Sequence, residues 1–312
     1  MNKLAIVIPA YKRDYFDQAL ASIANQTCKN FTVYVGDDNS PHEIHEVVKK
    51  FDRQIKITYK RFNENLGGTD LAAQWNRCLD MAEGEEWLWL FSDDDIMEPN
   101  CVELFYNFID TNSEASLLHF NVQIIDGNGR IKTELAPFPD RLSSANFFRG
   151  RINGDISSFA VEYIFKRDLY LKNGKFERFD LAWNSDDATW IKFAFENEIH
   201  TIRGGKILWR YSNSNISADT WNKQTIERKV RASIEYLIWV EEIFTRRSIT
   251  QDVSDFQKVK TKILTFLGFS SLDLRDKFRL AVAALEKLNL RKLKFLTYLY
   301  LIYIQLKKNI IN

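Results

Sequence analysis

The first hundred residues alternate between short apolar runs and segments in which apolar residues recur at helical spacing. The apolar runs occupy residues 4–8, 31–36, 55–59 and 87–91. The run at 4–8 is continuous and rich in β-branched residues, which predicts a strand covered on both faces, and the other three runs are also predicted to be strands. The segments with helical spacing are 14–26, 40–51 and 69–83. Strand and helix in alternation predict a parallel sheet with right-handed crossovers, and therefore an α/β fold.

The pattern changes after residue 115. A hairpin is predicted from two apolar segments around Asp126-Gly127-Asn128-Gly129, followed by a helix over 186–197 and a strand over 206–211. From about residue 220 the spacing is mostly helical. We therefore predict two regions, an α/β domain at 1–218 and a helical C-terminal region at 219–312.

Charge and cysteine content narrow the function classes. The 312 residues include 43 basic and 42 acidic side chains, a net charge of +1. Nucleic-acid-binding domains usually carry a strong positive charge, so no nucleic-acid partner is expected. Three widely spaced cysteines imply neither a disulfide framework nor a zinc knuckle, and they favour a reducing, cytoplasmic compartment.

Charge is concentrated at the C-terminal end. Residues 287–312 contain six basic side chains and no acidic ones, which leaves the remainder at −5. The apolar run 295–306 would form about 18 Å of helix, too short for the roughly 30 Å hydrocarbon core of a bilayer. Residues 288–312 could lie on an anionic membrane surface, which would make the protein peripheral on the inner face. The alternative is a helix packed on the domain or on a partner subunit.

Acidic residues follow two of the predicted strands. Asp37-Asp38 comes after the second strand and Asp93-Asp94-Asp95 after the fourth. In open parallel sheets ligands bind beyond the carboxyl ends of the strands, so both groups are placed at a binding edge. Adjacent carboxylates repel unless a cation or solvent screens them, so the triplet is either a metal–diphosphate anchor or a solvated acidic turn. Asp38 is either a hydrogen-bond acceptor for a nucleotide or part of an Asx turn.

Four motifs in this order resemble the family 2 glycosyltransferases. They are Ala-Ile-Val-Ile-Pro-Ala-Tyr-Lys-Arg at 5–13, Val-Tyr-Val-Gly-Asp-Asp-Asn-Ser at 33–40, Asn-Leu-Gly-Gly at 65–68, and Leu-Phe-Ser-Asp-Asp-Asp-Ile-Met-Glu-Pro at 90–99. The resemblance covers roughly residues 3–218. It implies a GT-A fold and an enzyme that moves a sugar from a nucleotide-sugar, most commonly a UDP-sugar, to a glycan or lipid-linked hydroxyl. Surface polysaccharide biosynthesis is the usual setting of such enzymes.

The resemblance also implies roles for individual residues. Residues expected to border or bind the nucleotide are Pro9, Ala10, Tyr11, Asp38, Asn65, Gly67, Asn76 and Asp93. Asp38 would hydrogen-bond the base, and Asp93 would lie near the ribose. Asp94 would be the main ligand of Mn²⁺ or Mg²⁺, with Asp95 in the same acidic stretch. The family often has Ala-Arg-Asn where this chain has Gln-Trp-Asn at 74–76, so the contact of that arginine is in question.

A later motif supplies a general base. Trp-Asn-Ser-Asp-Asp-Ala-Thr-Trp at 183–190 resembles the acidic motif of the family, in which Asp187 would be the catalytic base and Asp186 its acidic neighbour. An inverting transferase needs a base that takes the proton of the acceptor hydroxyl. The alternative is a helix N-terminus with acids that compensate its dipole. Trp183, just before the pair, is the candidate for acceptor contact.

Two departures leave alternatives open. Ser212 stands where the family often has a histidine, and Arg210 could contact a phosphate or lie on the surface. The competing hypothesis is therefore a catalytically silent nucleotide-sugar-binding or assembly subunit. A nucleotidyltransferase is weaker, because residues 9–13 contain no glycine for the phosphate loop that such enzymes use.

Overall fold

The computed structural model describes residues 3–212 and 216–311. The strands are Leu4–Ala10 (β1), Phe31–Asp37 (β2), Ile57–Arg61 (β3), Trp87–Leu90 (β4), Ile96–Met97 (β5), Leu117–Ile125 (β6), Ile131–Glu134 (β7), Arg141–Leu142 (β8), Tyr163–Lys166 (β9) and Ile199–Arg210 (β10). The α-helices are Phe16–Ala24 (α1), Ile44–Lys49 (α2), Leu71–Leu79 (α3), Cys101–Thr111 (α4), Ser144–Asn153 (α5), Arg167–Lys172 (α6), Ser185–Phe193 (α7), Lys223–Arg246 (α8), Asp255–Val259 (α9), Thr265–Phe269 (α10), Leu274–Lys287 (α11) and Lys294–Ile311 (α12).

The described strands form one mixed sheet. Its order is β3-β2-β1-β4-β9-β6-β10-β5, with β7 paired to β6 and β8 paired to β10. β3, β2, β1 and β4 are parallel to their neighbours, which confirms the parallel arrangement predicted for the first hundred residues. β9 is antiparallel to both β4 and β6, so the second half of the sheet is mixed. β1 lies between β2 and β4, and its apolar residues 4–8 are fully buried, as the continuous run predicts.

Some element boundaries differ from the predicted ones for local reasons. α2 begins at Ile44 instead of near residue 40, because Ser40 donates its N–H to Asp37 Oδ1 at 2.8 Å and holds a turn. β3 begins two residues later than predicted, because the N–H of Ile55 donates to the carbonyl of Phe51 at 3.2 Å. The predicted hairpin is present as β6 and β7. β10 is longer than predicted and runs over Ile199–Arg210.

The chain folds as two compact units. The first unit comprises Met1–Ser144, Ser157–Arg178 and Thr189–Ser212, and it contains the sheet. The second unit comprises Ala145–Ile156, Phe179–Ala188 and Asn213–Asn312, and it is mainly helical. The helical C-terminal region therefore shares its unit with two internal segments of the chain. The domain boundary near residue 218 stays a prediction, based on the order of the elements along the chain.

Three helices of the second unit, α8, α9 and α11, begin with a side-chain cap. Asn222 accepts the N–H of Thr225 at the start of α8, and Asp273 accepts that of Asp276 at the start of α11. α9 and α10 are joined without a break by a π-helical turn over Lys260–Leu264. None of the helices within the described residues is long and apolar enough to cross a bilayer.

Candidate active site

The loops after β1, β2 and β4 are joined by hydrogen bonds in the first unit. Asp93 Oδ2 accepts the N–H groups of Tyr11 and Lys12, each at 2.8 Å. The N–H of Asp38 donates to the carbonyl of Ala10 at 3.0 Å. The structure therefore brings the predicted nucleotide-binding residues at the ends of these strands to one edge of the sheet. Tyr11 is exposed there, whereas Ala10 is buried and Pro9 is half-buried.

Asp38 is a buried carboxylate that organises the loop over Asn65 and its neighbours. Its Oδ1 accepts the N–H of Leu66 and its Oδ2 that of Gly67, each at 2.8 Å. Burial raises the pKa of Asp38, while these N–H groups and the guanidinium of Arg77 oppose the shift. Gly67 is required here because a Cβ would lie 2.6 Å from Asp38 Oδ2. Asn65 in turn accepts the N–H of Gly68 at 2.7 Å. The contact of Asp38 with a base stays a prediction.

Arg77 is a residue that the sequence reasoning missed. It forms an ion pair with Asp38 and lies 4.0 Å from the centre of the Phe62 ring. A cavity of about 480 Å³ is lined by Lys60, Arg61, Phe62, Asn63, Glu64 and Arg77. Arg77 directly follows the Gln-Trp-Asn that this chain has in place of the family's Ala-Arg-Asn. An arginine two positions after the expected one could have identified Arg77 as a candidate site residue. Its pairing with Asp38 depends on a contact 39 residues apart along the chain.

Asn76, the next predicted nucleotide residue, is engaged by another segment of the first unit. Its Oδ1 accepts the N–H of Phe176 at 3.0 Å, and the Tyr170 hydroxyl donates to the same oxygen at 3.2 Å. These bonds tie α3 to α6 and to the segment that follows it. A part in nucleotide binding stays a prediction for Asn76.

The three carboxylates after β4 have different environments. One oxygen of Asp93 accepts the two N–H groups described above. Burial, followed by the negative charge of Asp94, raises the pKa of Asp93 to about 6. Asp95 is also buried, with Oδ1 accepting the N–H of Arg210 at 2.7 Å and Oδ2 accepting the Ser92 hydroxyl at 2.6 Å. Burial raises the pKa of Asp95 well above its ordinary value. Asp94 alone among the three is half-buried.

The acidic triplet fits a cation that takes most of its ligands from elsewhere. Mg²⁺ commonly binds one or two carboxylates together with substrate phosphates and water. Asp94 offers such a carboxylate, whereas both oxygens of Asp95 accept hydrogen bonds from the protein. Across residues 3–212 and 216–311, no group of three or more acidic, histidine or cysteine side chains could cage an ion. The donor set thus suits a metal–diphosphate, in which Asp94 would be the protein ligand. The part assigned to Asp95 stays a prediction.

Arg210 is buried, which excludes the surface position that was one of its two predicted alternatives. Its Nε donates to the carbonyl of Asp94 at 2.8 Å, and its Nη1 to those of Asp126 and Gly127 at 3.1 and 3.2 Å. Its Nη2 donates to Gln18 Oε1 at 2.8 Å. Arg210 therefore holds the acidic loop against the β6–β7 turn. No local pattern predicts these contacts, because the four partners are 83 to 192 residues away from Arg210 along the chain.

The second acidic pair lies in the second unit, at the start of α7. Asp187 is 1% exposed and forms ion pairs with Arg151 Nε at 2.9 Å and Lys262 Nζ at 2.6 Å. Burial alone would raise the pKa of Asp187, but the two cations outweigh it and lower that pKa. Asp186 is half-buried and its Oδ1 accepts the N–H of Asp187 at 2.9 Å. Burial, followed by the charge of Asp187, raises the pKa of Asp186 to about 6.

The segment before this pair has an unusual backbone. Leu181, Ala182 and Asn184 have φ values of 60°, 52° and 66°. Non-glycine residues rarely adopt this left-handed region, and such strain is concentrated at functional sites. Trp183, the candidate for acceptor contact, donates from Nε1 to the Ser233 hydroxyl at 3.1 Å. It therefore packs on α8, and its contact with an acceptor stays a prediction.

A mixed sheet with carboxylates after its parallel strands and a helical C-terminal region defines a protein of the GT-A fold class. Residues 5–166, about half of the chain, match the sequence model of Glycosyl transferase family 2. The chain belongs to this family, which confirms the resemblance noted in its motifs.

Named relatives extend this match. GalNAc(5)-diNAcBac-PP-undecaprenol beta-1,3-glucosyltransferase of Campylobacter jejuni is 25% identical over 217 residues, 66% of this chain and 64% of that protein. The uncharacterized glycosyltransferase MJ1057 of Methanocaldococcus jannaschii is 28% identical over 138 residues, 43% of this chain and 46% of that protein. Each alignment thus spans less than two thirds of the relative's own length.

Solved structures share the fold over 80% to 98% of the chain. S. aureus TarS 1–349 in complex with UDP-GlcNAc has a TM-score of 0.62 at 17% identity, covering 98% of this chain and 88% of TarS. GalNAc-T7 with UDP, GalNAc and Mn²⁺ has a TM-score of 0.53 at 9% identity, covering 80% of this chain and 55% of that one. At these identities the likeness concerns the fold.

Proposed function

We propose that this chain is an inverting glycosyltransferase that moves a sugar from a UDP-sugar to the hydroxyl of a glycan or lipid-linked acceptor. The observation that carries the proposal is the joining of the β1, β2 and β4 loops through Asp93 and Asp38 in a member of this family. Two similar proteins support a UDP-sugar donor and a lipid-linked or polymeric acceptor, and a role in surface polysaccharide biosynthesis is part of the proposal. One is the undecaprenol-linked glucosyltransferase, and the other is the UDP-GlcNAc complex of TarS, a poly(ribitol-phosphate) beta-N-acetylglucosaminyltransferase.

The reaction requires stabilisation of the leaving diphosphate and removal of one proton. A divalent cation, Mn²⁺ or Mg²⁺, held by Asp94 would neutralise the charge that develops on the leaving group. The carboxylate pair Asp186–Asp187 supplies the general base for the acceptor hydroxyl. A single displacement needs no covalent nucleophile on the protein.

Thermal unfolding with nucleotides tests the donor site. UDP, GDP, CMP, dTDP and ADP are each added with and without Mn²⁺. A ligand at about 100 times its dissociation constant stabilises the folded state by roughly 2.7 kcal/mol, which raises Tm by several degrees. We expect a Mn²⁺-dependent rise with UDP in the wild type and in Asp52→Ala, which alters an exposed carboxylate. Asp94→Ala should abolish the Mn²⁺-dependent part.

The outcomes separate the hypotheses. A shift with UDP together with UDP release from a UDP-sugar supports the transferase. A shift without any release in the presence of candidate acceptors favours a catalytically silent binding subunit. Absence of a shift with every nucleotide contradicts the proposed donor site.

We also propose that the enzyme is cytoplasmic and lies on the inner face of the membrane, and the outer face of α12 supports this position. Phe295, Leu299, Ile302 and Leu306 follow one another at spacings of three or four residues, and they are 70%, 50%, 42% and 58% exposed. The opposite face is buried through Leu301 and Ile304. Basic residues flank the exposed stripe and no acidic residue occurs from 287 onward. This combination suits the headgroup region of an anionic bilayer.

Vesicle flotation tests this position. Because Leu301 and Ile304 are buried, deletion of 288–312 would uncover apolar surface, so substitution of the outer face is the sharper experiment. We expect Leu299→Asp to reduce binding to phosphatidylglycerol vesicles at least ~10-fold, since a charge must then enter the apolar interface. The control is Ile131→Asp, which alters an exposed apolar residue on β7. Equal binding of both variants would contradict the membrane position, and a change from dimer to monomer in Leu299→Asp would instead assign the stripe to a second copy.

A further inference from the structure

Asp38 can accept one hydrogen bond more than the described part of the chain supplies. Its Oδ1 accepts the N–H of Leu66 and the guanidinium of Arg77, and its Oδ2 accepts the N–H of Gly67. An ionised carboxylate offers about four acceptor positions, so one position on Oδ2 is left for a ligand. The side chain is only 5% exposed. Asp38 therefore suits a ligand group that donates a hydrogen bond at the edge where the β1, β2 and β4 loops meet.

The charge of Asp38 depends on the groups in contact with it. Burial raises its pKa, whereas the N–H groups of Leu66 and Gly67 and the guanidinium of Arg77 lower it. The thiol of Cys78 lies next to Arg77 on α3, and burial raises the pKa of that thiol, so Cys78 stays neutral. Within the set that acts on Asp38, Arg77 is thus the group that carries a positive charge.

The remaining charged groups of this region act on other partners. Three charged side chains line the cavity beside Arg77, namely Lys60, Arg61 and Glu64. Arg61 forms an ion pair with Asp37 at 3.0 Å, and Glu64 is 77% exposed, with its Oε1 3.9 Å from Arg77 Nη1. Removal of Arg77 would therefore leave Asp38 without a cation in direct contact.

Arg77 is held in place from several sides. Its Nη2 also donates to the carbonyl of Glu64 at 2.9 Å, and its Nε donates to Gln74 Oε1. Its guanidinium lies 4.0 Å from the centre of the Phe62 ring, a cation–π contact. Gln74 is buried and donates from Nε2 to the carbonyl of Gly36 at 3.4 Å. The planar fork of Arg77 thus connects α3 with β2 and with the loop after β3, all within the first unit.

We propose that Arg77 is a positioning residue of the donor site that keeps Asp38 an ionised acceptor, so that the site takes a nucleobase whose ring presents an N–H. This rests on the proposed transferase function and gives a basis for its choice of donor. Uracil carries a hydrogen on the ring nitrogen N3, whereas the same nitrogen of cytosine has a lone pair instead. A carboxylate pairs with the first ring and is left unpaired by the second. A protonated carboxyl group could donate to the second.

The ratio of Kd for CDP to Kd for UDP tests this role. Both nucleotides carry the same diphosphate, so its titration and its contacts cancel in the ratio. Calorimetric titration of the full chain in Mn²⁺ measures both constants. We expect the wild type to bind UDP at least ~10-fold more tightly than CDP at about pH 7.5, because CDP leaves a charged acceptor without its hydrogen bond. The ratio should fall as the pH drops and Asp38 takes up a proton.

Variants of Arg77 distinguish positioning from a merely structural role. Arg77→Met removes the cation, so the pKa of Asp38 rises and the ratio should begin to fall at a higher pH. A structural loss alone would weaken UDP and CDP together and leave the pH profile of the ratio in place. Arg77→Lys keeps the charge and should restore the profile, although both nucleotides bind less tightly without the planar fork. The control is Arg203→Met, which removes an arginine from an exposed ion pair with Asp140 and should leave both constants unchanged.

Each outcome decides a different statement. A ratio in Arg77→Met that matches the wild type at every pH overturns the proposal. If Arg77→Met does not fold, Arg77→Gln replaces it, since glutamine keeps N–H donors without the charge and should show the same shift. Equal binding of UDP and CDP by the wild type overturns the part of Asp38 in base choice and leaves the donor site standing. A wild type that binds no nucleotide fails the proposed function itself.

Discussion

Arg210 shows how one buried side chain joins distant parts of the first unit. Its guanidinium donates to three backbone carbonyls and to Gln18 Oε1. We expect Arg210→Met to lower the free energy of unfolding by about 3 kcal/mol, because the four acceptors lose their donors in a buried place. Urea unfolding measures the change.

The control for this prediction is Arg141→Met. Arg141 is exposed, and its ion pair with Glu114 is long at 4.0 Å. Its replacement should therefore change the free energy of unfolding by less than about 0.5 kcal/mol. Equal losses in the two variants would mean that the buried bonds of Arg210 are replaced by water.

Asp186 gives a prediction for stability that is independent of activity. Its pKa is raised from 3.8 to about 6 on folding, so the folded state holds the proton more tightly than the unfolded chain. The stability from this group is complete below about pH 4 and is lost as the pH rises through 6. The difference in Tm, Asp186→Asn minus wild type, should therefore increase from about pH 4 to about pH 7.5. Scanning calorimetry measures it.

The control is Asp110→Asn, an exposed carboxylate on α4. It has the same change in formal charge, and its difference in Tm should change little over the same range. A flat profile for Asp186→Asn would show that water screens the Asp186 carboxylate fully.

At the scale of elements, α10 and α12 pack closely at Gly268. A Cβ on Gly268 would lie 2.6 Å from Ile304 Cγ2 and 3.1 Å from Ile304 Cβ. Gly268→Ala gains about 1 kcal/mol of helix propensity, but overpacking costs typically 1–3 kcal/mol. We expect a net loss of about 1 kcal/mol in urea unfolding.

A double-mutant cycle tests the cause. Ile304→Ala alone should cost roughly 2–4 kcal/mol, because a buried side chain leaves a cavity. The double variant should lose less than the sum of the two single losses, since alanine at 304 makes room for the new methyl group. Additive losses would mean that the helices separate instead of clashing at this contact.

At the scale of the whole molecule, charge is divided unevenly along the chain. Residues 287–312 carry six basic and no acidic side chains, and the remainder is at −5. Each lysine or arginine near an anionic surface contributes about 1 kcal/mol, and salt screens this attraction. Binding to phosphatidylglycerol vesicles should therefore weaken at least ~10-fold between about 0.05 and 0.5 M NaCl, as measured by co-sedimentation. Weak binding to phosphatidylcholine vesicles should be insensitive to salt, and a salt-independent response to both lipids would contradict the electrostatic part.

The sequence by itself determined the elements whose cause is local. The apolar runs at 4–8 and 87–91 predicted buried strands because burial on both faces demands continuous apolar residues. Alternation with helical segments predicted the parallel part of the sheet, and the motifs at the strand ends predicted the family. The apolar and basic residues of the tail predicted a helix there, whereas the packing of α12 decided which of its faces is exposed.

Only the tertiary structure decided which charges meet. Asp38 with Arg77 and Asp187 with Lys262 are pairs 39 and 75 residues apart. No periodicity encodes such pairs, because they depend on how helices and loops from distant segments pack. The same holds for the second unit, which joins 145–156 and 179–188 to the C-terminal helices. Sequence therefore located the acidic residues, while folding assigned each carboxylate its partners and, through burial and neighbouring charge, its readiness to bind a proton.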